Sequence, residues 1–254
     1  MQELFEVLTT VFTPGSELSQ IVLVTLKMAF FSTAISMILG VPLGVLIGYS
    51  DFKGKRIILR VLNTLMGLPP VLAGLIVFFI LSRSGPLGEF RLLYTVQAMV
   101  TAQVVLITPI VTGLVSTAVS QVAPKLHETA LGIGLSRGRE LLYLLNECRS
   151  QIFSYIFVAF GRSIGEVGAV MLVGGNVQYK TRVMTTAIML ETNKGNFEMA
   201  VALGIVLLLI SFVINSVALL FDERGFAARK RRSTIPRHKG EGSSALNENK
   251  KERA

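Results

Sequence analysis

Five apolar stretches, each long enough to cross a lipid bilayer, dominate the pattern of hydrophobic and polar positions. They extend from Ile21 to Tyr49, from Ile57 to Ser82, from Tyr94 to Val119, from Phe153 to Gly175 and from Met199 to Phe221. A helix needs about 20 predominantly apolar residues to cross the hydrocarbon core. The pattern therefore predicts an all-α polytopic membrane protein with about five transmembrane helices.

The composition agrees with this prediction and explains the net charge. Hydrophobic residues make up 51% of the 254 residues, and the mean hydropathy is +0.60, which is atypical of a soluble domain of this length. The formal charge of +9 would by itself suggest a nucleic-acid partner. However, residues 222–254 contain ten Lys and Arg against five Asp and Glu, so more than half of the excess lies there. We predict membrane lipid as a partner, and no nucleic acid.

Lys and Arg are distributed unevenly between the two sides of the predicted spans. The first loop, the third loop and the tail contain 18 of them, whereas the second and fourth loops contain 5. Cytoplasmic loops carry an excess of these residues, which predicts a multi-pass protein of the plasma (inner) membrane with the N-terminus outside and the C-terminus inside. We expect an extracytoplasmic segment at residues 1–20, a transmembrane domain at 21–221 and a basic, disordered cytoplasmic tail at 222–254.

The third loop contains a helix-forming segment that is too polar to span. It extends from Pro124 to Leu145, and its leucines near helical spacing are Leu131, Leu135, Leu141 and Leu145. An interfacial helical hairpin fits this pattern. Gly132 and Gly134 would permit a sharp bend or the close approach of another backbone. From spacing alone, the segment is either a contact surface for a partner or a helix that merely joins two spans.

The stretch "ETALGIGL" at residues 128–135 resembles the E-A-A-x-x-x-G signature of ABC importer permease subunits. Glu128 matches the Glu, Thr129 stands at the first Ala, Ala130 matches the second, and Gly134 matches the Gly. Three further segments are similar to the oxyanion-importing branch, and most similar to tungstate permeases; they are "LMGLPPVLAGL" (65–75), "GRSIGEVGAVMLVGGN" (161–176) and "TRVMTTAIMLE" (181–191).

The resemblance implies a type I importer permease fold with a cytoplasmic coupling helix between the third and fourth spans. That helix would lie in a groove of a cytoplasmic ABC ATPase, which would bind ATP and Mg²⁺, and an extracytoplasmic oxyanion-binding protein would deliver the substrate. The residues expected to couple the two subunits are Glu128, Thr129, Ala130, Gly132 and Gly134. Because five helices are few to enclose a pathway, we also expect a homodimer with the substrate passing along its axis.

The chain itself should not be an enzyme. It contains no G-x-x-x-x-G-K-[ST] phosphate-binding loop, so ATP hydrolysis is expected in the partner. Its one cysteine, Cys148, cannot form a metal site alone. We expect a non-catalytic subunit with no metal or cofactor of its own.

Arg162 and Glu166 are charged residues within the fourth apolar stretch. Four residues apart, they would share one helix face and pair. An ionisable residue inside a span is a functional hypothesis by default, because burying its charge in lipid is unfavourable. Two interpretations stay open: a structural brace, or a direct role in translocation or gating in which Arg162 presents positive charge to the anion.

Prolines and small residues mark other points within the spans. Pro69 and Pro70 in the second span and Pro109 in the third each remove a backbone donor and should interrupt the helix. These interruptions are candidates either for packing bends or for gating elements along the pathway. The small residues of the fourth span predict close helix approach; they are Gly161, Gly165, Gly168, Ala169, Gly174 and Gly175.

The loop after the fourth span has an apolar middle that predicts a short interfacial helix. Its charged residues include Lys180, Arg182, Glu191 and Lys194. They either form part of a docking surface for the substrate-binding protein or are solvated loop charges.

Two other functions fit the sequence less well. A membrane-embedded hydrolase would need a base, but the histidines, His127 and His238, lie outside the spans. An ion-coupled secondary transporter with Glu166 as the proton site would be expected to show internal repeats, and none is evident. Within the permease class, tungstate is the preferred substrate from overall resemblance, molybdate is the close alternative, and sulfate and phosphate follow.

Overall fold

The structure, a computed structural model, describes residues 15–233 and the side chains of residues 15–217. In chain order, its helices are α1 (Glu17–Tyr49), α2 (Lys55–Met66), α3 (Pro70–Leu81), a 3₁₀ turn (Gly88–Phe90), α4 (Val96–Gly132), α5 (Arg137–Ile164), α6 (Gly168–Gly174), α7 (Met184–Asn193) and α8 (Phe197–Ser233). No strand occurs within the described residues. The all-α prediction is confirmed.

Polar residues set the first turns of α1 and α4. The Ser16 hydroxyl accepts a hydrogen bond from the N–H of Ser19 at 3.1 Å, and Thr95 accepts one from Ala98 at 3.3 Å. Each side chain satisfies a backbone donor that the helix leaves free at its start. The 33 residues of α1 then extend for about 50 Å, which is enough to cross a bilayer at a tilt.

α1 and α4 run parallel to each other along a seam of small residues. A Cβ atom at Gly40 would lie 2.8 Å from Val111, and one at Gly48 would lie 2.8 Å from Val119. Both residue numbers increase together along the seam, so the two helices point the same way. The intervening chain must therefore return across the membrane, which it does through α2 and α3.

The second predicted span is a broken one. α2 and α3 meet at an angle of 97°, and the break falls at Gly67–Pro69, with Pro69 as the N-cap of α3 and Pro70 as its first residue. Proline is favourable at a first helical position because its missing donor would be unsatisfied there in any case. The predicted interruption at these two prolines is confirmed.

The expected interruption at Pro109 is wrong. α4 continues through Pro109 and through Pro124 to Gly132. A proline removes one ladder hydrogen bond, and the bonds of the turns on either side can maintain the helix axis when neighbouring helices pack around it. In this region, α4 lies against α1 at Gly40, whose added Cβ would be 3.3 Å from the carbonyl oxygen of Thr108.

The fourth predicted span is also a bent pair, and its helix begins earlier than its apolar stretch. α5 starts at Arg137, although the apolar stretch begins at Phe153, and meets α6 at an angle of 60°. Three single helices and these two bent pairs account for the five predicted spans. Hydropathy locates the part of a helix that suits lipid, whereas the helix itself continues through polar helix formers on either side.

Three buried clusters hold the bundle together. One joins α1, α3, α4 and α6 around Met28, Val77 and Val170. The second joins α1, α4 and α5 through residues such as Val115 and Leu144. The third joins the start of α1 to α7 and α8; it comprises Ile21, Met184, Ala187, Ala202, Leu203 and Val206. Many large apolar side chains on the outside remain exposed, as expected of a surface that contacts lipid.

The predicted terminal segments lie mostly outside the described residues. α1 already includes the last residues of the segment predicted at 1–20. α8 continues to Ser233, into the segment predicted to be a tail, while the compact body ends at Asp222. Residues 1–14 and 234–254 lie outside the described residues.

Candidate functional site

The predicted hairpin is present, formed by the adjoining ends of α4 and α5. We define the hairpin as Pro124–Leu145, with its turn at residues 133–136. The N–H of Leu135 donates to the carbonyl of Ala130 at 2.9 Å, and the N–H of Gly134 donates to that of Leu131 at 3.3 Å. This pair of bonds ends α4 in a Schellman motif, which needs a left-handed residue. Gly134 supplies it with φ of +66°.

The five residues expected to couple to the ATPase differ in their exposure. Glu128, Thr129, Gly132 and Gly134 are exposed, and a Cβ added at either glycine would meet no atom within 4 Å among the described residues. Ala130 is buried against the bundle. Gly134 therefore serves the sharp bend that the sequence allowed, and the space around it is open for a partner.

The four leucines near helical spacing in the hairpin do not share one buried face. Leu141 and Leu145 pack against the buried cluster of α1, α4 and α5, but Leu131 is 69% exposed. Its neighbour Ile133 is 68% exposed. The turn begins after Gly132 and changes the chain direction, so helical spacing does not continue from Leu131 to the residues of α5. Two apolar side chains thus stand at the tip of the hairpin.

A buried carboxylate lies beneath this tip, and sequence reasoning did not find it. Glu140, in the first turn of α5, is 3% exposed. Its Oε1 lies 2.9 Å from Nδ1 of His127 on α4. Glu140 and His127 are 13 positions apart, so no helical spacing could indicate the pair.

The second candidate site is the bend between α5 and α6, which we define as residues 165–167. Nη1 of Arg162 lies 2.8 Å from Oε2 of Glu166, which confirms that the two side chains pair. The expectation that they share one helix face is wrong, because α5 ends at Ile164 and Glu166 lies beyond it. A glycine at the helix C-cap, Gly165, ends the helix between them.

Glu166 is engaged on both carboxylate oxygens. While Oε2 faces Arg162, Oε1 accepts hydrogen bonds from the N–H groups of Val167 at 3.1 Å, Gly168 at 3.0 Å and Ala169 at 3.4 Å. The residue is 4% exposed, whereas the side chain of Arg162 is 38% exposed. These contacts hold the Glu166 carboxylate in place at the bend, while Arg162 keeps an accessible surface.

Residues from three other helices fix the bend. Gln103 of α4 donates to the carbonyl of Ser163 at 3.3 Å, and the hydroxyls of Ser163 and Ser32 lie 2.8 Å apart. Thr185 of α7 donates to the carbonyl of Glu166 at 2.9 Å. A carbonyl released at a helix end needs such a partner inside a membrane. In the sequence, these contacts could have been suspected only from the polar residues Ser32 and Gln103 within apolar stretches.

Close packing occurs at some of the predicted small residues and not at others. A Cβ at Gly168 would lie 2.7 Å from Val71 of α3, and one at Gly174 would lie 2.5 Å from Met99 of α4. At Gly161 a Cβ would meet nothing within 4 Å among the described residues. The prediction of close approach is therefore confirmed for α6, while Gly161 has no such neighbour among the described residues.

At the opposite end from the hairpin, the charged loop packs onto the start of α1. Arg182 forms an ion pair with Glu17, and Gln178 donates to the same carboxylate at 2.9 Å. The predicted short helix is α7. A cleft of about 470 Å³ lies beside it, lined in part by Glu17, Arg182, Glu191 and Lys194. At least one of the predicted loop charges, Arg182, is therefore held in place.

Comparisons with known proteins agree with this architecture. The family described as "Binding-protein-dependent transport system inner membrane component" matches residues 40–225. A Haloferax volcanii protein named probable anion ABC transporter permease protein is 38% identical over 212 residues, 82% of this chain and 91% of that protein. A Peptoclostridium acidaminophilum protein named tungstate uptake system permease protein TupB is 40% identical over 192 residues, 76% of this chain and 84% of that protein.

A solved structure supports the fold. The crystal structure of a bacterial ABC transporter involved in the import of the acidic polysaccharide alginate superposes with a TM-score of 0.70 at 19% sequence identity, covering 87% of this chain and 83% of that one. The family match spans both candidate sites and most of the chain. The chain therefore belongs to the family of binding-protein-dependent transport system inner membrane components, the permease subunits of ABC importers.

Proposed function

We propose that this chain forms the transmembrane path of an ABC importer that carries tungstate into the cell. The observation that carries the proposal is the hairpin, whose exposed apolar tip, Leu131 and Ile133, projects from two long helices. α4 alone has 37 residues and so extends for about 55 Å. A partner that moves the tip therefore also moves α4 and α5, which extend from the hairpin into the membrane.

The partner on the hairpin is a cytoplasmic ABC ATPase, which binds ATP and Mg²⁺. Exposed Glu128 and Thr129 lie on the turn of α4 that precedes the tip, beside the apolar pair. A polar rim around an apolar centre suits a protein interface. Gly134 keeps the tip sharp, and the open space around it leaves room for the groove of the ATPase.

Two copies of the chain surround the path. A single copy supplies three continuous spans and two bent pairs, too few to enclose a hydrated ion, and a two-fold dimer would place the path on its axis. Arg162, with 38% of its side chain exposed, presents positive charge near the path. The break at Pro69 lies near the bend, because Val71 lies against Gly168.

An extracytoplasmic binding protein delivers the anion. The cleft beside α7 lies at the end of the bundle opposite the hairpin. Charged side chains of both signs line it, and two of them, Arg182 and Glu17, form an ion pair. Complementary charges favour a specific and rapid encounter between proteins.

Tungstate is favoured over other oxyanions because the Peptoclostridium acidaminophilum relative carries tungstate in its name. Molybdate has the same tetrahedral shape and charge, so selection between the two is expected mainly in the binding protein.

The test is metal accumulation in cells that lack the gene and in complemented cells, supplied with trace tungstate and molybdate together. We expect tungsten uptake alone to fall on deletion and to return on complementation, measured by mass spectrometry. If molybdenum uptake falls on deletion instead, the substrate is molybdate rather than tungstate. If neither element changed, the oxyanion proposal would be wrong.

A further inference from the structure

We propose that α2 lies at the membrane surface and binds the headgroups of anionic phospholipids through Arg56 and Arg60. The inference goes beyond the proposed function, because the ligand is a lipid of the bilayer and neither the transported ion nor a partner protein. It rests on the proposed function in one respect only: if an ATPase binds the hairpin, the leaflet on the hairpin side is the cytoplasmic one.

α2 lies across the direction of the helix that follows it. The two halves of the broken span meet at 97°, and α3 is the half inside the bundle. There, Val77 belongs to a buried cluster, and a Cβ at Gly74 would lie 2.6 Å from Ala169 of α6. Of the 12 residues of α2, by contrast, Leu62 is the buried one. α2 therefore packs against the bundle from outside.

The contact with α4 places α2 near the end of the hydrocarbon core. A Cβ at Gly113 would lie 2.5 Å from Sδ of Met66 and 3.6 Å from Leu62. Gly113 lies about 9 Å before Val119, where the apolar stretch of α4 ends and the helix continues toward the hairpin. An amphipathic helix in the plane of a bilayer buries its apolar face about 5 to 10 Å deep. The depth of α2 is that of an interfacial helix.

The apolar residues of α2 form an inner and an outer face. Leu62 is buried and Met66 is half-buried, both toward α4. Ile57 and Val61, which are one turn apart, are 66% and 53% exposed. The inner face attaches the helix to the bundle. The outer face is left for the acyl chains of lipid.

A third face of α2 is basic. Arg56 and Arg60 are exposed and four residues apart, so they lie on one side of the helix, and exposed Asn63 continues it. Neither arginine forms an ion pair with a described residue, whereas Lys55 is paired with Asp51 at 3.1 Å. A guanidinium group can bind a phosphate through two parallel hydrogen bonds.

The combination of the outer and basic faces favours lipid as the ligand. Arg56 precedes Ile57 and Arg60 precedes Val61, so each cation has an exposed apolar side chain next to it. A phospholipid supplies both complements, an anionic headgroup and acyl chains, and basic amphipathic helices bind anionic bilayers in this way. A small hydrated anion would leave the apolar side chains unsatisfied.

The test measures lipid binding to the purified full-length chain without the ATPase, the binding protein or tungstate. The chain in mild detergent is titrated with phosphatidylglycerol or with phosphatidylcholine of the same acyl chains, and bound lipid is counted by native mass spectrometry. We expect the anionic lipid to bind about ten-fold more tightly at low ionic strength, because two cations face its phosphate. Failure of tungsten uptake in cells would not affect this result.

Two double variants and a matched control locate the site. Arg56→Gln with Arg60→Gln should lower the preference for phosphatidylglycerol to about two-fold or less, without loss of phosphatidylcholine. Arg56→Lys with Arg60→Lys retains the charge and should keep most of the preference. The control, Arg83→Gln with Lys180→Gln, removes the same charge from exposed residues of the second and fourth loops and should behave as the wild type.

Equal affinity of the wild type for the two lipids would overturn the inference, and so would an unchanged preference in the glutamine variant. An equal loss in the control would assign the preference to net charge and not to α2. Displacement of phosphatidylglycerol by excess tungstate or inorganic phosphate would also overturn it, because the basic face would then be a site for small anions.

Discussion

The hairpin and the bend are both breaks in the helical path of this chain, and they differ in what determines their shape. At the hairpin, the backbone bonds of the Schellman motif make the turn, and no described atom lies within 4 Å of a Cβ at Gly132 or Gly134. At the bend, Gln103 and Thr185 supply side-chain bonds from other helices, and Glu166 caps the next helix. The hairpin is a locally determined surface, whereas the bend is determined by the whole bundle. Changes at the bend should therefore alter assembly first, and changes at the hairpin should alter coupling.

Glu166→Leu should have the largest effect on stability. Leucine leaves three backbone N–H groups and the guanidinium of Arg162 without their acceptor at a buried position. Leaving a buried donor without its acceptor costs about 1 to 3 kcal/mol, and three backbone donors lose theirs here. We expect most of the folded protein to be lost, measured as the monodisperse fraction after extraction in mild detergent. Glu198→Leu, at an exposed glutamate, should retain it; equal behaviour of the two variants would reject the brace.

Gly74→Ala should have the next largest effect, through packing alone. The added Cβ would lie 2.6 Å from the Cα of Ala169, and a backbone atom cannot move aside as a flexible side chain can. Overpacking of this kind costs about 1 to 3 kcal/mol, which should lower the melting temperature by about 5 °C in a domain of this size.

Gly161→Ala is the matched control for this packing prediction. The residue lies inside α5, and a Cβ there meets no described atom within 4 Å. Alanine is the better helix former, so the melting temperature should stay constant or rise slightly. A drop equal to that of Gly74→Ala would mean that the open face of α5 is covered in the membrane, for example by a second copy of the chain.

The features that depend on local sequence, namely the spans and the turns, could be predicted. The contacts that depend on how the helices pack together could not. The five apolar stretches, the break at Pro69 and the sharp turn at Gly134 all follow from composition, a missing donor or a required left-handed residue. The pairing of Arg162 with Glu166 was predicted for the wrong reason, since the helix ends between them. Helical spacing alone does not show that Gly165 would end α5.

The contacts of Glu140, Gln103 and Ser32 were out of reach because each joins residues from different helices. His127 and Glu140 are 13 positions apart, and Ser32 and Ser163 are 131 apart. Such pairs become visible only when the order in which helices pack is known. The same limit applies to Leu131, whose exposure depends on where the turn begins rather than on the spacing of the leucines.

Arg162→Ala should separate assembly from transport at the bend. Because this side chain is 38% exposed, its loss should destabilise the fold less than Glu166→Leu does, by about 1 kcal/mol, as for a partly exposed ion pair. We expect the variant to be folded, to bind the ATPase and to accumulate little tungsten in cells. Arg162→Lys keeps the charge and should restore part of the uptake. Loss of assembly together with uptake would instead assign Arg162 to the brace.

Gly134→Leu should have a small effect on the fold and a large one on coupling. A side chain in the left-handed conformation costs about 1 to 2 kcal/mol, and the open space around Gly134 adds no clash. The chain should reach the membrane in normal amounts, while co-purification of the ATPase, or tungsten uptake per ATP, falls.

Gly134→Asn separates the two causes of that loss. Asparagine tolerates the left-handed conformation, so the turn keeps its shape while a side chain projects into the open space. If Gly134→Asn couples normally and Gly134→Leu does not, the turn geometry or the size of the added side chain is what matters, and the ATPase must tolerate a small group at the tip. If both variants fail with intact folding, the ATPase contacts the glycine backbone itself. If both variants show normal coupled uptake, the hairpin tip does not contact the ATPase. The proposed difference, in which the hairpin serves coupling and the bend serves assembly, would then be wrong.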